Sequence, residues 1–289
     1  MSSNSRKLFP LFLAPVMLYF LFVQTAPIIS AFSPGSAQTS SLEDLWIDLR
    51  IGPPLIPLFN QAARNSDIAR VDHPSQIEQL SALNTGRKMV IFKSVEETDQ
   101  LLPDIAAEID IVGYNFEHGQ TTPQEELDDP VGSIKMMREL ADEHGLGLAL
   151  GPDHDFALSH GVEMAPYVDI FVLQVQRQQT NPSIVEDFVV PIVPKLREAN
   201  PDLEVSVQVR TEGDVQAIIE LLDSLKAHLD GISILTSPDT VDVAEELLAG
   251  LRPTSSPGIG QYSNTILLGL AGLLLLAGTF IIYRRRKNS

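Results

Sequence analysis

The chain of 289 residues contains no cysteine. That excludes disulfide stapling, thiol nucleophiles and cysteine-held metals, so any exported domain must hold together by its core alone. Aromatic residues make up 6% of the chain, with one tryptophan, Trp46. Basic side chains are also few, 20 Lys and Arg against 38 Asp and Glu. Six of those basic residues lie in the two terminal segments, which leaves 14 against 38 in residues 42–263, a net of −24. A surface of that sign repels nucleic acid and anionic lipid, so no nucleic-acid partner is expected. A Gly-rich phosphate loop, a dinucleotide fingerprint and a nucleophilic serine elbow are all missing. The histidines near carboxylates match no recognised metal-ligand spacing, so neither a metal nor another cofactor is expected.

The ends differ from the middle. Residues 1–41 begin with Arg6 and Lys7, continue through an apolar run from Leu8 to Ile29, and close on small residues around Gly35-Ser36-Ala37. This is the layout of a secretory signal, or of an uncleaved anchor with its linker. At the other end, Thr265–Tyr283 is 19 residues without a charge, enough for roughly 28 Å of helix. Arg284, Arg285, Arg286 and Lys287 follow at once. The expected organisation is a signal or anchor over 1–41, an extracellular domain over 42–252, a linker over 253–264, a transmembrane helix over 265–283 and a cytoplasmic basic tail over 284–289. The expected location is the cell membrane, crossed once.

Within the middle, residues 42–85 are broken by Pro53, Pro54 and Pro57 and suggest no clear element. From residue 87 onward short apolar runs recur at 88–92, 109–114, 146–150, 169–175, 204–209 and 231–235. Amphipathic helical stretches separate them; in one, Ile134, Met137, Leu140 and Ala141 share a face and Gly145 is the stop. Another carries internal prolines that should kink it or delay its start. Alternation of this kind implies a parallel sheet with crossover helices. In "FVLQVQRQ", Phe171, Leu173 and Val175 share one parity while Gln174 and Gln176 share the other. In "VSVQVRTE" the valines alternate with Ser206, Gln208 and Arg210. One face turning polar toward the strand end suits an α/β (β/α) barrel of the TIM type, with a site at its C-terminal mouth. Six strands are visible, which leaves the barrel's completeness open.

The polar residues at or just past those strand ends are the candidate site. They are Lys93; Asn115, Glu117 and His118; Asp153, His154 and Asp155; Gln174 and Gln176; Gln208 and Arg210; and Thr236. Carboxylates, amides and a guanidinium around one opening can hold hydroxyl groups and move a proton. Each has a plainer reading beside the functional one. Glu117 could cap the following segment or pair with Arg210, Asp153 or Asp155 could cap the next helix, and Arg210 could simply neutralise buried carboxylates; the glutamines, as buried amides, need partners.

The stretch "DIVGYNFE", Asp110 to Glu117, resembles the strand-end signature DGxDxDxE of chitinase-like barrel glycoside hydrolases. Asp110 and Glu117 stand at its first and last acids, and Gly113 and Asn115 at the two between. The segment after it is similar to a looser group of exported bacterial barrels of glycoside-hydrolase type, through Thr122-Pro123-Gln124-Glu125-Glu126, Asp129-Pro130 and "QVQRQQTNP". The resemblance spans about residues 87–250. It implies a barrel in which Glu117 is the general acid.

Two functions are then expected. One is a surface-anchored glycoside hydrolase. Glu117 would be its acid and Asp153 or Asp155 its base or nucleophile, with Asn115, Tyr114, Gln174, Gln176, Gln208 and Arg210 binding the sugar. The other is a barrel without turnover that binds a glycan or serves as a structural surface module. Both name a carbohydrate or wall polymer as partner, and the membrane through the C-terminal helix.

Overall fold

The computed structural model describes residues 41–119 and 122–252. Eight parallel strands form a closed barrel in chain order. They are β1 (Trp46–Arg50), β2 (Ile68–Val71), β3 (Arg87–Phe92), β4 (Ile111–Phe116), β5 (Gly147–Pro152), β6 (Ile170–Gln174), β7 (Glu204–Arg210) and β8 (Gly231–Leu235). The helices between and after them are α1 (Ile56–Ala62), α2 (Ile77–Ser81), α3 (Val95–Ile105), α4 (Gln124–Asp128), α5 (Pro130–Glu143), α6 (His154–Met164), α7 (Pro182–Ala199), α8 (Val215–Leu225) and α9 (Val241–Leu251). The barrel is complete, where only six strands were visible in the sequence and its completeness stood open. Residues 42–85 supply β1 and β2, and β8 closes on β1 through the register Trp46 to Gly231 and Leu49 to Ile234.

Strand parity separates two apolar layers. Outward residues such as Leu49, Val71, Phe92, Val112, Leu148, Leu173, Val207 and Ile234 are buried against the helices. The helices meet them with one apolar stripe each, for example Leu102 of α3, Ile134 and Met137 of α5, and Leu221 and Leu222 of α8. The α5 helix opens with Asp129 accepting from the Gly132 amide and ends before Gly145, whose φ of 68° favours glycine. The α7 helix runs through Pro191 and Pro194 instead of breaking. Both prolines face solvent, so the carbonyls they leave without an amide partner can be hydrated.

Inside the barrel a smaller apolar plug, Trp46, Ile68, Met89, Ile111, Ala149, Ile170 and Val172, fills the lower half. Trp46 occupies the space over Gly231, where an added Cβ would fall 2.2 Å from the indole. Only glycine lets the ring lie there.

Four aspartates close the bottom in a repeating pattern. Each sits just before an even-numbered strand and accepts the amide of a residue opening the preceding odd one. Asp67 accepts from Ile47 at 2.8 Å and Asp110 from Lys88 at 2.8 Å. Asp169 accepts from Leu148 at 2.7 Å and Asp230 from Val205 at 2.8 Å. Otherwise unpaired amides at each odd strand's start are thereby satisfied.

The candidate segments 1–40 and 265–283 lie outside the described residues, as does the linker between residues 253 and 264. Among the described residues no helix is long and apolar enough to cross a membrane. The single-pass placement expected above finds no spanning helix among these residues.

Candidate functional site

Above the apolar plug the inward positions turn polar. β1 contributes Asp48 and β2 contributes Arg70, with Asp72 and His73 just beyond. β3 leads to Lys93, β4 to Asn115 and Glu117, β6 to Gln176 and Arg177, β7 to Gln208 and Arg210, and β8 to Ser233. They line one open cavity of about 600 Å³ at the C-terminal mouth, roughly the size that takes a small metabolite. The inward residues of β4 and β5 are small, Gly113, Ala149 and Gly151, which leaves room on that side.

The floor is a buried ion pair. Arg70 Nε lies 3.0 and 3.2 Å from the two oxygens of Asp48, and Ser233 Oγ donates to Asp48 at 2.6 Å. Burial pushes the Asp48 carboxyl above its usual range, although Arg70 pulls the other way. Arg70 Nη1 reaches Asp72 at 3.4 Å, while its Nη2 has no partner. Asp72 is held from the far side by Arg50 at 2.6 Å. Arg50 and Thr236 exchange bonds between side chain and carbonyl, at 2.8 and 2.9 Å, across the β1–β8 seam.

The upper wall is a chain of amides. Gln174 Nε2 lies 2.7 Å from Glu117 Oε1, 3.0 Å from the Gly151 carbonyl and 3.2 Å from Asn115 Oδ1. Gln176 Nε2 donates to Gln174 Oε1 at 2.8 Å. Glu117 forms no ion pair with Arg210 among the described residues. The Arg210 backbone is clasped at both its amide and its carbonyl by Gln179, at 2.9 and 3.1 Å. Its guanidinium reaches Glu212 at 3.4 Å, and its Nε has no partner.

Beside this cavity a second hollow of about 250 Å³ is lined by His118, Asp153, His154, Asp155, Gln174, Gln176 and Arg177. Asp153 stands at the head of α6 but does not cap it. Its Oδ2 accepts the His118 amide at 2.6 Å and meets His118 Nδ1 at 3.2 Å. The His118 ring stacks on Phe156 with centroids 4.4 Å apart. One ligand-type atom each from His118, Asp153 and Asp155 lies within 4.8 Å of the others. His154 packs instead on Phe188.

The structure thus brings Asn115, Glu117, Gln176, Gln208 and Arg210 to one cavity, and Asp153 and Asp155 to its neighbour; Gln174 spans the ground between. Tyr114 is different. Its side chain is buried, packed edge-on against Phe116, and its hydroxyl donates to Glu126; burial and that carboxylate raise the phenol above its usual range. Reasoning from sequence missed Asp48, Arg70, Asp72, His73, Arg177, Gln179 and Ser233.

These facts correct the carbohydrate reading. Tyr114 is the only Phe, Tyr or Trp lining the cavity, and with its ring turned into the core it offers no platform to a sugar. Asp110, the first acid of the chitinase-like stretch, belongs to the repeat of aspartates at the barrel's base, at the opposite end of β4 from Glu117.

No protein-family model matches the chain and no curated protein matches it. Among solved structures it is similar to a mandelate racemase/muconate lactonizing protein from Herpetosiphon aurantiacus, at 13% identity and a TM-score of 0.45, over 68% of this chain and 58% of that one. It is similar to the multifunctional pyruvate carboxylase of Rhizobium etli at 11% identity and 0.47, over 68% of this chain and 23% of that one. An enolase from Pseudomonas fluorescens gives 13% identity and 0.35, over 62% and 40%. The chain spans less than two thirds of each of these proteins. Likeness this faint carries no argument about chemistry, which rests on the residues themselves.

Proposed function

We propose that the barrel mouth binds a small organic acid, with a divalent cation taken up beside it by His118, Asp153 and Asp155. One observation carries this reading. In a body with a net charge of −24, four of only 14 basic residues, Arg70, Lys93, Arg177 and Arg210, converge on one cavity. The acids there are Asp48, Asp72 and Glu117, and the first two are already engaged by Arg70 and Arg50. With Arg70 spent on Asp48 and Arg210 facing Glu212, Lys93 and Arg177 remain against Glu117, an excess of one cation where the surface around is acidic. Guanidinium groups match a carboxylate in charge and geometry. The lysine and arginines draw in an anion that the outer surface would repel.

The chemistry on offer is proton transfer at the carbon next to the bound carboxylate. Cations around that group lower the cost of negative charge on it. Glu117 has one oxygen engaged by Gln174 and the other without a partner among the described residues, so it can accept the proton. A cation at His118, Asp153 and Asp155 would add to the charge stabilisation from the neighbouring hollow.

The test is a thermal-shift panel on the purified chain, comparing small mono- and dicarboxylates with their neutral amides, with and without Mg²⁺. Carboxylates raise the melting temperature and their amides do not. Equal response to acids and amides, or to neither, overturns the reading.

A further inference from the structure

The amide chain at the mouth has its direction set by groups that can only accept. Gln174 Nε2 faces the Gly151 carbonyl at 3.0 Å and the Glu117 carboxylate at 2.7 Å. A carbonyl carries no hydrogen to give, so the NH₂ end of Gln174 must be the end that points at it. Its Oε1 then accepts, and its donor is Gln176 Nε2 at 2.8 Å. That fixes the other end of Gln176 as well. Its Oε1 is an acceptor, it is enclosed, and no group donates to it.

Gln176 is 9% exposed and lines both the main cavity and the hollow beside it. Arg177 and Arg210 stand along the same wall but give it no hydrogen bond. A buried acceptor without a donor is costly, and native proteins leave few of them. The ligand is the natural source of the missing hydrogen. Reaching the oxygen takes a shift of the Gln176 side chain, which borders the main cavity and the hollow beside it.

We infer that Gln176 Oε1 accepts a hydrogen bond from a hydroxyl or ammonium group of the ligand, which makes the bound acid a hydroxy acid or an amino acid rather than a plain carboxylic acid. The inference rests on the organic-acid reading above and narrows it. The cations take the carboxylate, and Gln176 reads the substituent. A site arranged to bond such a group discriminates strongly against the analogue without it, because the acceptor is then left unmatched.

Isothermal titration of the purified chain with pairs that differ by one hydroxyl tests this: malate against succinate, and lactate against propionate, with aspartate as the ammonium probe. The wild-type chain binds the substituted acid at least about 10-fold tighter. In Gln176→Met, which keeps the length and loses the amide, the ratio of the two affinities falls toward one. Equal affinity for both members of each pair in the wild-type chain overturns the inference and leaves the organic-acid site standing. No binding by any acid overturns that site itself, and the inference with it. Should Gln176→Met keep its selectivity but lose affinity for Mn²⁺, Gln176 is a cation ligand and the inference is wrong. If the variant does not fold, the wild-type pairs decide alone.

Discussion

Arg70 Nε lies within 3.2 Å of both oxygens of Asp48, across the β1–β2 pair, and the two side chains are almost wholly buried. The pair stands between the apolar plug below and the open cavity above. It forms the cavity's floor, and its integrity should set both stability and binding. Asp48→Ala strands the guanidinium in the barrel and is expected to cost about 3–5 kcal/mol, read from urea denaturation. A change below about 1 kcal/mol would mean that water already reaches Arg70.

The same pair has a pH signature. Burial raises the folded-state pKa of Asp48 above the 3.8 of a free carboxyl. The stability contributed by this group is therefore fully present below 3.8 and is lost as pH rises toward and through the raised value. Asp48→Asn cannot titrate. The stability of wild type minus that of Asp48→Asn should fall as urea titrations move from pH 3.5 upward. A difference that grows with pH would mean the Arg70 attraction outweighs burial.

Asp110 and Glu117 sit at the two ends of β4, and their substitutions should behave differently. Asp110→Ala removes the acceptor for the Lys88 amide and is expected to lower stability by about 1–3 kcal/mol with no effect on ligand affinity. Glu117→Gln leaves the fold intact. It should abolish solvent-deuterium exchange into the bound acid, followed by proton NMR. Loss of exchange in Asp110→Ala at full stability would place that acid at the site after all.

Gly231→Ala pushes a Cβ to 2.2 Å from the Trp46 ring. The indole must leave its place at the base of the barrel, with an expected loss of about 1–3 kcal/mol or more. Trp46 is the only tryptophan, so its fluorescence reports the displacement directly. An unshifted emission maximum would contradict the packing described.

The cation cluster predicts Mn²⁺ binding that Asp153→Asn weakens by about 10-fold or more, measured by electron paramagnetic resonance. Asp153 is the buried member and also holds the His118 amide, so its loss affects two of the three ligand groups. Unchanged Mn²⁺ affinity in the variant would remove the cluster from the account.

Much of the mouth could be read in the sequence because strand parity is a strong signal. Gln174 at the end of one strand with Gln176 just past it, and Gln208 and Arg210 on another, interrupt apolar alternation on the inward side, so their convergence follows from closure of the sheet. The floor could not be read in the same way. Asp48 and Arg70 lie on strands of five and four residues, next to prolines, and a charged inward residue there looks like a break in the chain. Asp110 and Glu117 show a related limit. Acids at both ends of one strand look alike in sequence, and only register tells base from mouth. His118, Asp153 and Asp155 match no ligand spacing because they come from the ends of two strands, 35 residues separating the first two. Nothing local in the sequence marks them as neighbours.

The central claim is that cations gathered inside an acidic barrel hold an organic acid. It is tested most directly by titrating malate into the purified chain and into Arg210→Gln by calorimetry. The account predicts saturable binding by wild type that weakens as salt is raised, and at least about 10-fold lower affinity in the variant. Absence of binding by wild type, or an affinity indifferent to both Arg210 and salt, would contradict it.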